Sequence, residues 1–301
     1  VAVTAADKRL MPQQAEALLR SAINDQQWRR FQEENELNIG YGVKDVGSFR
    51  ISLFRQRGTA AAVVRYIPGD IPEFDTLGMP PVLKELILQP RGLFLMVGAT
   101  GSGKSTTLAA MIGHRNEHSH GHIITIEDPV EFVHVHKNCI VTHREVGVDT
   151  LDWHVALKNT LRQAPDVIML GEIRDRETME HAVAFAETGH LCMGTLHANS
   201  ANQALDRIIN FFPDERRQQL LMDLSLNLKA VISQRLVPAE GRKGRVAAVE
   251  IMINSPLISD LIFKGSVSEI KEIMKKSREL GMQTFDQSLF DLYEADLITY
   301  D

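Results

Sequence analysis

The chain has 301 residues, 44% of them hydrophobic, and a formal net charge of −6, enough material for one large or two ordinary cores. The acidic balance argues against a surface built to hold nucleic acid. No apolar run reaches the roughly 18–20 residues that span a bilayer, and nothing at the N-terminus resembles a signal peptide.

Cys139 and Cys192 lack CxxC spacing and read as small buried apolar side chains in a reducing cytoplasm. The first residue is Val1 rather than Met, so upstream sequence is expected to be missing. From there, Ala15, Leu18, Leu19, Ala22 and Ile23 share a helical face, and Trp28 and Phe31 continue the stripe. Leu37, Ile39, Tyr41 and Val43 then alternate with polar or glycine positions, as do Phe49, Ile51 and Leu53, and Ala62, Val64 and Tyr66. These are three strands, with a turn at Arg57-Gly58. A symmetric two-residue turn there makes Arg50 and Arg65 cross-strand partners on the face opposite Phe49 and Ile51. Two like charges side by side disfavour a bare sheet. Either an anion sits near them or both arginines are solvated on an open face.

Pro68-Gly69-Asp70-Ile71-Pro72 breaks the pattern and marks a boundary. The expected organisation is a first domain over 1–68, a linker over 69–76 and a second domain over 77–301. A short helix with Leu83, Leu86 and Ile87 follows Pro80-Pro81, and Leu93 to Val97 reads as a buried strand. Next comes Gly98-Ala99-Thr100-Gly101-Ser102-Gly103-Lys104-Ser105, with Thr106 after it and the helical run Thr107 to Met111. This satisfies G-x-x-x-x-G-K-[ST] between a strand and a helix, the context in which the pattern is a nucleotide phosphate loop. The glycines let backbone N–H groups close on phosphate at the positive end of the new helix. Lys104 is assigned to the β- and γ-phosphates and the Ser105 hydroxyl to Mg²⁺.

Beyond the loop, apolar strands at Ile123 to Ile126, Val167 to Leu170 and Leu191 to Met193 alternate with helical patterns at Trp153 to Leu161 and Met179 to Ala186. Asp175 is placed to cap the second of these helices and Gly189 to end it. Alternation of this kind predicts an α/β fold with a parallel sheet covered on both faces and its ligand at the carboxyl ends of the strands. Leu205, Ile208, Ile209 and Phe212 share a helical face, and Leu220 to Leu236 reads as one long amphipathic helix. Gly241-Arg242-Lys243-Gly244 then separates it from a strand over Val246 to Ile253, with helices to the end.

Four features fall at the predicted strand tips. Ile126-Glu127-Asp128-Pro129-Val130-Glu131 puts Glu127 at the pocket, to bind metal through water or to position the attacking water, while Glu131 reads as a solvated loop carboxylate. Asp166 to Leu170 leads through Gly171 into Glu172, a Walker B-like tip whose carboxylate suits water polarisation. Gly171 stands where an Asp often holds Mg²⁺. His197 ends the fourth apolar run and is assigned either a γ-phosphate-sensing or a structural role. Arg162, just before the Walker B-like strand, is a candidate partner for acidic groups at a subunit boundary. His118, His120, His122, His134 and His136 alternate in a way that can suggest zinc, but no cysteine or carboxylate set completes the site, and they read as an incidental solvated cluster in loops.

As an ordered quartet, GATGSGKST, ITIEDPVEFVH, VIMLGEIRD and GHLCMGTLHANSA resemble the Walker A, Asp-box, Walker B and His-box signatures of secretion-superfamily hexameric ATPases. QAPD before the Walker B strand and Gly281 to Asp286 near the end narrow the resemblance to the twitching-motility ATPases of the PilT/PilU family. The stretch His197 to Phe212 leans towards the PilU branch. The resemblance runs from about Gly47 to Leu297. It implies a RecA-like P-loop ATPase domain preceded by a smaller, truncated, PAS-like α/β domain, a homo-hexameric ring, ATP and Mg²⁺ as cofactors, and pilus retraction as the work. It further implies that Arg50 and Arg65 supply guanidinium groups to the phosphates, that Glu172 is the catalytic glutamate, that Glu127 is the Asp-box glutamate, and that His190 and His197 form the His box. The implied partners are a PilT-like ATPase and the inner-membrane pilus platform protein, at the cytoplasmic face of the inner membrane, with membrane association only through those proteins. One departure stands out: Leu257-Ile258-Ser259-Asp260-Leu261-Ile262-Phe263-Lys264 occupies the place of an AIRNLIRE-like segment and keeps the apolar spacing without the arginines. It favours an accessory motor, and it leaves open an ATP-binding scaffold that docks on a partner motor with little turnover of its own.

Overall fold

A computed structural model describes residues 10–43, 46–67, 70–241 and 244–300. The chain divides into two compact units, residues 1–69 and 70–301. In the first unit, α1 (Pro12–Ser21) and α2 (Asp25–Glu34) precede a three-stranded antiparallel meander, β1 (Glu36–Val43), β2 (Gly47–Gln56) and β3 (Thr59–Ile67). The opening stripe is therefore two helices rather than one. Asn24 causes the break, because its side chain accepts from the Gln27 N–H at 2.8 Å and the Gln27 side chain accepts from the Asn24 N–H at 3.0 Å, a reciprocal cap that restarts the helix. Ile23, Phe31, Leu37, Ile39, Ile51 and Leu53 form this unit's core. The hairpin register pairs Arg50 with Arg65, as the symmetric turn predicts, and Gly40 of β1 faces Arg50 from the other side.

The second unit begins with α3 (Val82–Ile87), and within the stretch expected as linker Phe74 is already buried against this unit's core. The chain continues through β4 (Gly92–Val97), α4 (Lys104–His118), β5 (Gly121–Glu127), β6 (Cys139–Glu145), α5 (Trp153–Thr160), β7 (Val167–Leu170), α6 (Arg176–Glu187) and β8 (Leu191–Leu196). It closes with α7 (Ala201–Asn210), α8 (Asp214–Asn227), β9 (Leu228–Pro238), β10 (Arg245–Ile253), α9 (Pro256–Lys264), α10 (Ile270–Lys275) and α11 (Phe285–Glu294). Asp175 caps α6 by accepting from the Thr178 N–H, and Gly189 follows that helix with φ +100°.

Among the described residues the unit has seven strands in the order β10-β9-β4-β8-β7-β5-β6. Of these, six are mutually parallel and β10 runs antiparallel to β9. Alternate residues of β4 belong to different cores: Leu93, Leu95 and Val97 pack with α5–α9, and Phe94 and Met96 pack with α3 and α4. The sheet is thus covered on both faces, as its apolar runs require. Among the described residues no helix is long and apolar enough to cross a membrane.

Two expectations need correction. The stretch 220–236 is not one helix: α8 ends at Asn227, and the rest is β9, an interior strand between β4 and β10. A strand buried on both faces has no alternation to reveal it, so its apolar run passes for a helix. The histidines are not uniformly solvated loop residues either. His122 lies on β5, with its ring bonded to the Gln163 carbonyl and the Thr142 hydroxyl, and His134 is buried. Arg242 and Lys243 of the expected Gly241–Gly244 break lie outside the described residues.

Candidate active site

Four adjacent strands bring the predicted tips together. The phosphate loop leaves β4, His197 follows β8, Glu172 follows β7 by two residues and Glu127 ends β5. Within the second unit, Thr100, Gly101, Lys104, Ser105, Glu127, Glu172 and His197 line one cavity of about 210 Å³. Gly98, Ala99, Ser102 and Gly103 complete the loop, and Thr106 stands in the first turn of α4. Arg50 and Arg65 belong to the first unit.

The loop holds its shape by steric exclusion. Gly98 has φ +152°, and a Cβ there would come within 2.6 Å of the Gln234 carbonyl. Gly103 has φ +89°, and its Cβ would meet the Gln234 side-chain nitrogen at 2.7 Å. Only glycine tolerates both demands. Gln234 is itself buried, and its amide oxygen accepts from the Thr107 hydroxyl of α4 at 2.9 Å. The loop therefore rests on β9, a support that cannot be read from a stretch taken for helix.

Lys104 curls back over the loop, and its ammonium donates to the Gly98 and Ala99 carbonyls at 2.8 and 2.9 Å. Burial lowers its pKa, while Glu172 and Glu131 oppose the shift. The amide ends of α4 and this cation give the cavity floor positive potential, suited to phosphate.

The acidic wall is of two kinds. Glu127 is buried, and its pKa is raised to about 7, chiefly by desolvation. Hydrogen bonds from the Thr125 hydroxyl and the Glu131 backbone oppose that rise. Glu172 is more open, and Arg174 Nε holds one of its oxygens at 2.7 Å while His197 Nε2 lies 3.2 Å from the other. Glu131, read as a solvated carboxylate, is exposed yet also lines the cavity. A Cβ on Gly171 would lie 3.2 Å from the Glu127 Cα and Cγ atoms; the crowding by β5 explains why the position before Glu172 carries no side chain. The Thr195 hydroxyl donates to the Gly171 carbonyl and ties the tips of β7 and β8.

The two histidines of the expected box part company. His190 sits before β8 and His197 after it, seven positions and about 23 Å apart along a strand at ~3.3 Å per residue. The His190 ring bonds the Phe185 carbonyl and Thr188 hydroxyl at the end of α6, a structural role. Arg162 is exposed in the turn after α5. The site also contains residues that the motifs did not single out: Asp128, Arg174 and His134 on the cavity wall, and Gln234 beneath the loop.

The arrangement fits a nucleoside polyphosphate with Mg²⁺. The Ser105 hydroxyl and the Glu127, Asp128 and Glu172 carboxylates line the cavity with hard oxygen donors, although among the described residues no three acidic or histidine side chains cluster to hold an ion unaided. Ser102 Oγ on the loop and Trp153 Nε1 on the cavity wall are buried without a hydrogen-bond partner.

Residues 21–292 match the family model described as Type II/IV secretion system protein. The type IV pilus ATPase PilU of Pseudomonas aeruginosa is 58% identical over 292 residues, which is 97% of this chain and 76% of that protein. The type IV pilus retraction ATPase PilT of the same organism is 45% identical over 286 residues, 95% of this chain and 83% of that protein. The crystal structure of the pilus retraction motor PilT with bound ADP superposes with a TM-score of 0.88 at 43% identity, covering 95% of this chain and 81% of the other.

Proposed function

We infer what the chain does from one premise: it belongs to the Type II/IV secretion system protein family. Within that family it is an ATPase of the pilus retraction class, a ring-forming motor that powers or assists type IV pilus retraction. The observation that carries this reading is the convergence of Lys104, Ser105, Glu127 and Glu172 on one cavity at the tips of adjacent strands.

In this reading Lys104 and the loop amides hold the β- and γ-phosphates. Ser105 would hold Mg²⁺ directly and Glu127 through water, and a bound Mg²⁺ would supply charge neutralisation at the phosphates. Glu172 orients the attacking water and takes its proton as the bond between the γ-phosphorus and the β–γ bridging oxygen breaks. His197 holds the Glu172 carboxylate and registers whether the γ-phosphate is present. Arg50 and Arg65 stabilise the spread negative charge of the transferring group, in the manner of arginine fingers. Work requires that the assembly bind ATP and ADP with different affinities in its two states. The ring is a homo-hexamer acting at the cytoplasmic face of the inner membrane, with a PilT-like ATPase and the pilus platform protein as partners.

Steady-state phosphate release by the purified chain, alone and with a partner retraction ATPase, tests this. Mg²⁺-dependent turnover is expected. A chain that binds ATP and docks on its partner but releases no phosphate in either condition would make it the scaffold instead.

A further inference from the structure

The cavity wall contains a chain of hydrogen bonds whose polarity is fixed at its far end. His143 stands on β6 directly opposite Thr125 of β5 in the parallel register. Its ring is bonded at both nitrogens. Nε2 lies 3.0 Å from the backbone nitrogen of His134, and a backbone N–H can only donate. Nε2 is therefore the unprotonated nitrogen, and in the neutral ring the hydrogen sits on Nδ1. Nδ1 lies 2.9 Å from Thr125 Oγ1, so the ring donates and the hydroxyl accepts. That leaves the hydroxyl its own hydrogen, available to the Glu127 carboxylate, which lines the same cavity. Thr125 and Glu127 are two residues apart on one strand, so they share a face.

The His134 ring stacks on His143 with centroids 5.7 Å apart and planes 14° from parallel. It is buried and lines the nucleotide cavity, as do Thr125 and Glu127. With Glu127 ionised and therefore an acceptor only, the last link runs from hydroxyl to carboxylate.

We propose that His143, locked in one tautomer by the His134 backbone, is a positioning residue that acts through Thr125 to hold the Glu127 carboxylate facing the cavity as a hydrogen-bond acceptor, for the water through which it would reach Mg²⁺. This rests on the reading of Glu127 as part of the ATPase site. Without the ring, the Thr125 hydroxyl is free to rotate away from Glu127, and the carboxylate loses the bond that aims it into the cavity. The ring itself touches neither phosphate nor metal in this scheme.

The test is steady-state ATP hydrolysis by the full chain. His143→Leu is expected to lower kcat about tenfold, the worth of one oriented hydrogen bond to a charged group, with KM for ATP within about twofold. His143→Gln offers one acceptor and one donor, as the neutral ring does, and is expected to recover most of the loss. Thr125→Val should match His143→Leu, and the double variant should be no worse than either single one. An unchanged kcat in His143→Leu, a His143→Gln variant as slow as the leucine, or additive losses would overturn the proposal. Should His143→Leu fail to fold, Thr125→Val carries the same expectation. Glu127→Gln separates the two layers: full turnover there removes Glu127 from the site, whereas loss there with none in His143→Leu and Thr125→Val sinks the relay alone. Imidazole ¹⁵N shifts of His143 in the intact chain read the tautomer independently of turnover. A hydrogen on Nδ1 is expected, and one on Nε2 would overturn the proposal.

Discussion

One carboxylate oxygen of Glu172 lies 3.2 Å from Nε2 of His197, across the boundary between β7 and β8, while Arg174 Nε holds the other oxygen at 2.7 Å. The carboxylate is thus tethered from a neighbouring strand and from its own segment. Both tethers are at least partly open to solvent, so they act through geometry more than through stability.

Glu172→Gln keeps the shape of the side chain but removes the proton acceptor. Turnover should fall by about two orders of magnitude or more, while ATP still protects the chain against thermal unfolding. His197→Ala should fall less, about tenfold, because it loosens the carboxylate without removing it. Phosphate release at saturating ATP measures both, and a His197→Ala loss larger than that of Glu172→Gln would reverse the assignment.

Glu127 makes a prediction about stability against pH. Its pKa rises on folding from 4.5 to about 7, with burial the main cause, so the folded chain holds this proton more tightly than the unfolded chain does. The contribution is fully present below about pH 4.5 and is lost as the pH climbs through 7. Glu127→Gln carries no such proton. In the absence of nucleotide and Mg²⁺ the variant should therefore gain on the parent between pH 5 and pH 8, by at most about 3 kcal/mol. Urea unfolding at both pH values checks this, and a gap that does not change with pH would contradict it.

Gln234 sits where the phosphate loop, α4 and β9 meet. Gln234→Leu removes the acceptor of the buried Thr107 hydroxyl and the polar contact beside Gly103. We expect a loss of about 1–3 kcal/mol in unfolding free energy, together with weaker ADP binding because the loop loses its floor. Calorimetric titration with ADP separates the two effects, and unaltered affinity would mean that the loop keeps its form unaided.

Arg50 and Arg65 face each other across an antiparallel pair, where like charges cost about 0.2–1 kcal/mol. A structural pair would lose stability when truncated, whereas this pair should not. Arg50→Ala and Arg65→Ala are each expected to leave the melting temperature unchanged or slightly raised and to cut ATP turnover tenfold or more. A lowered melting temperature with normal turnover would make the two arginines ordinary surface charges.

The phosphate loop was legible because glycine spacing, lysine and hydroxyl are forced by local backbone geometry and by phosphate itself. Glu127, Glu172 and His197 were legible because each ends an apolar run. The Arg50–Arg65 pairing followed from turn symmetry alone. Gln234 and His143 were not legible, for different reasons. Gln234 hides in a strand covered on both faces, where the apolar run carries no period. His143 lies on β6, whose polar second half, Thr142 to Glu145, breaks the apolar pattern of its beginning.

The sequence by itself determined which chemistry this protein carries, since a phosphate cradle and strand-end carboxylates are written in contiguous residues. The tertiary structure alone decided their company. In the chain the strands run β4, β5, β7, β8, but in the sheet they stand β4, β8, β7, β5, so Glu172 meets His197 and Thr125 meets His143 only after the crossovers close. Long-range strand pairing sets those neighbours, and no short stretch of sequence contains it.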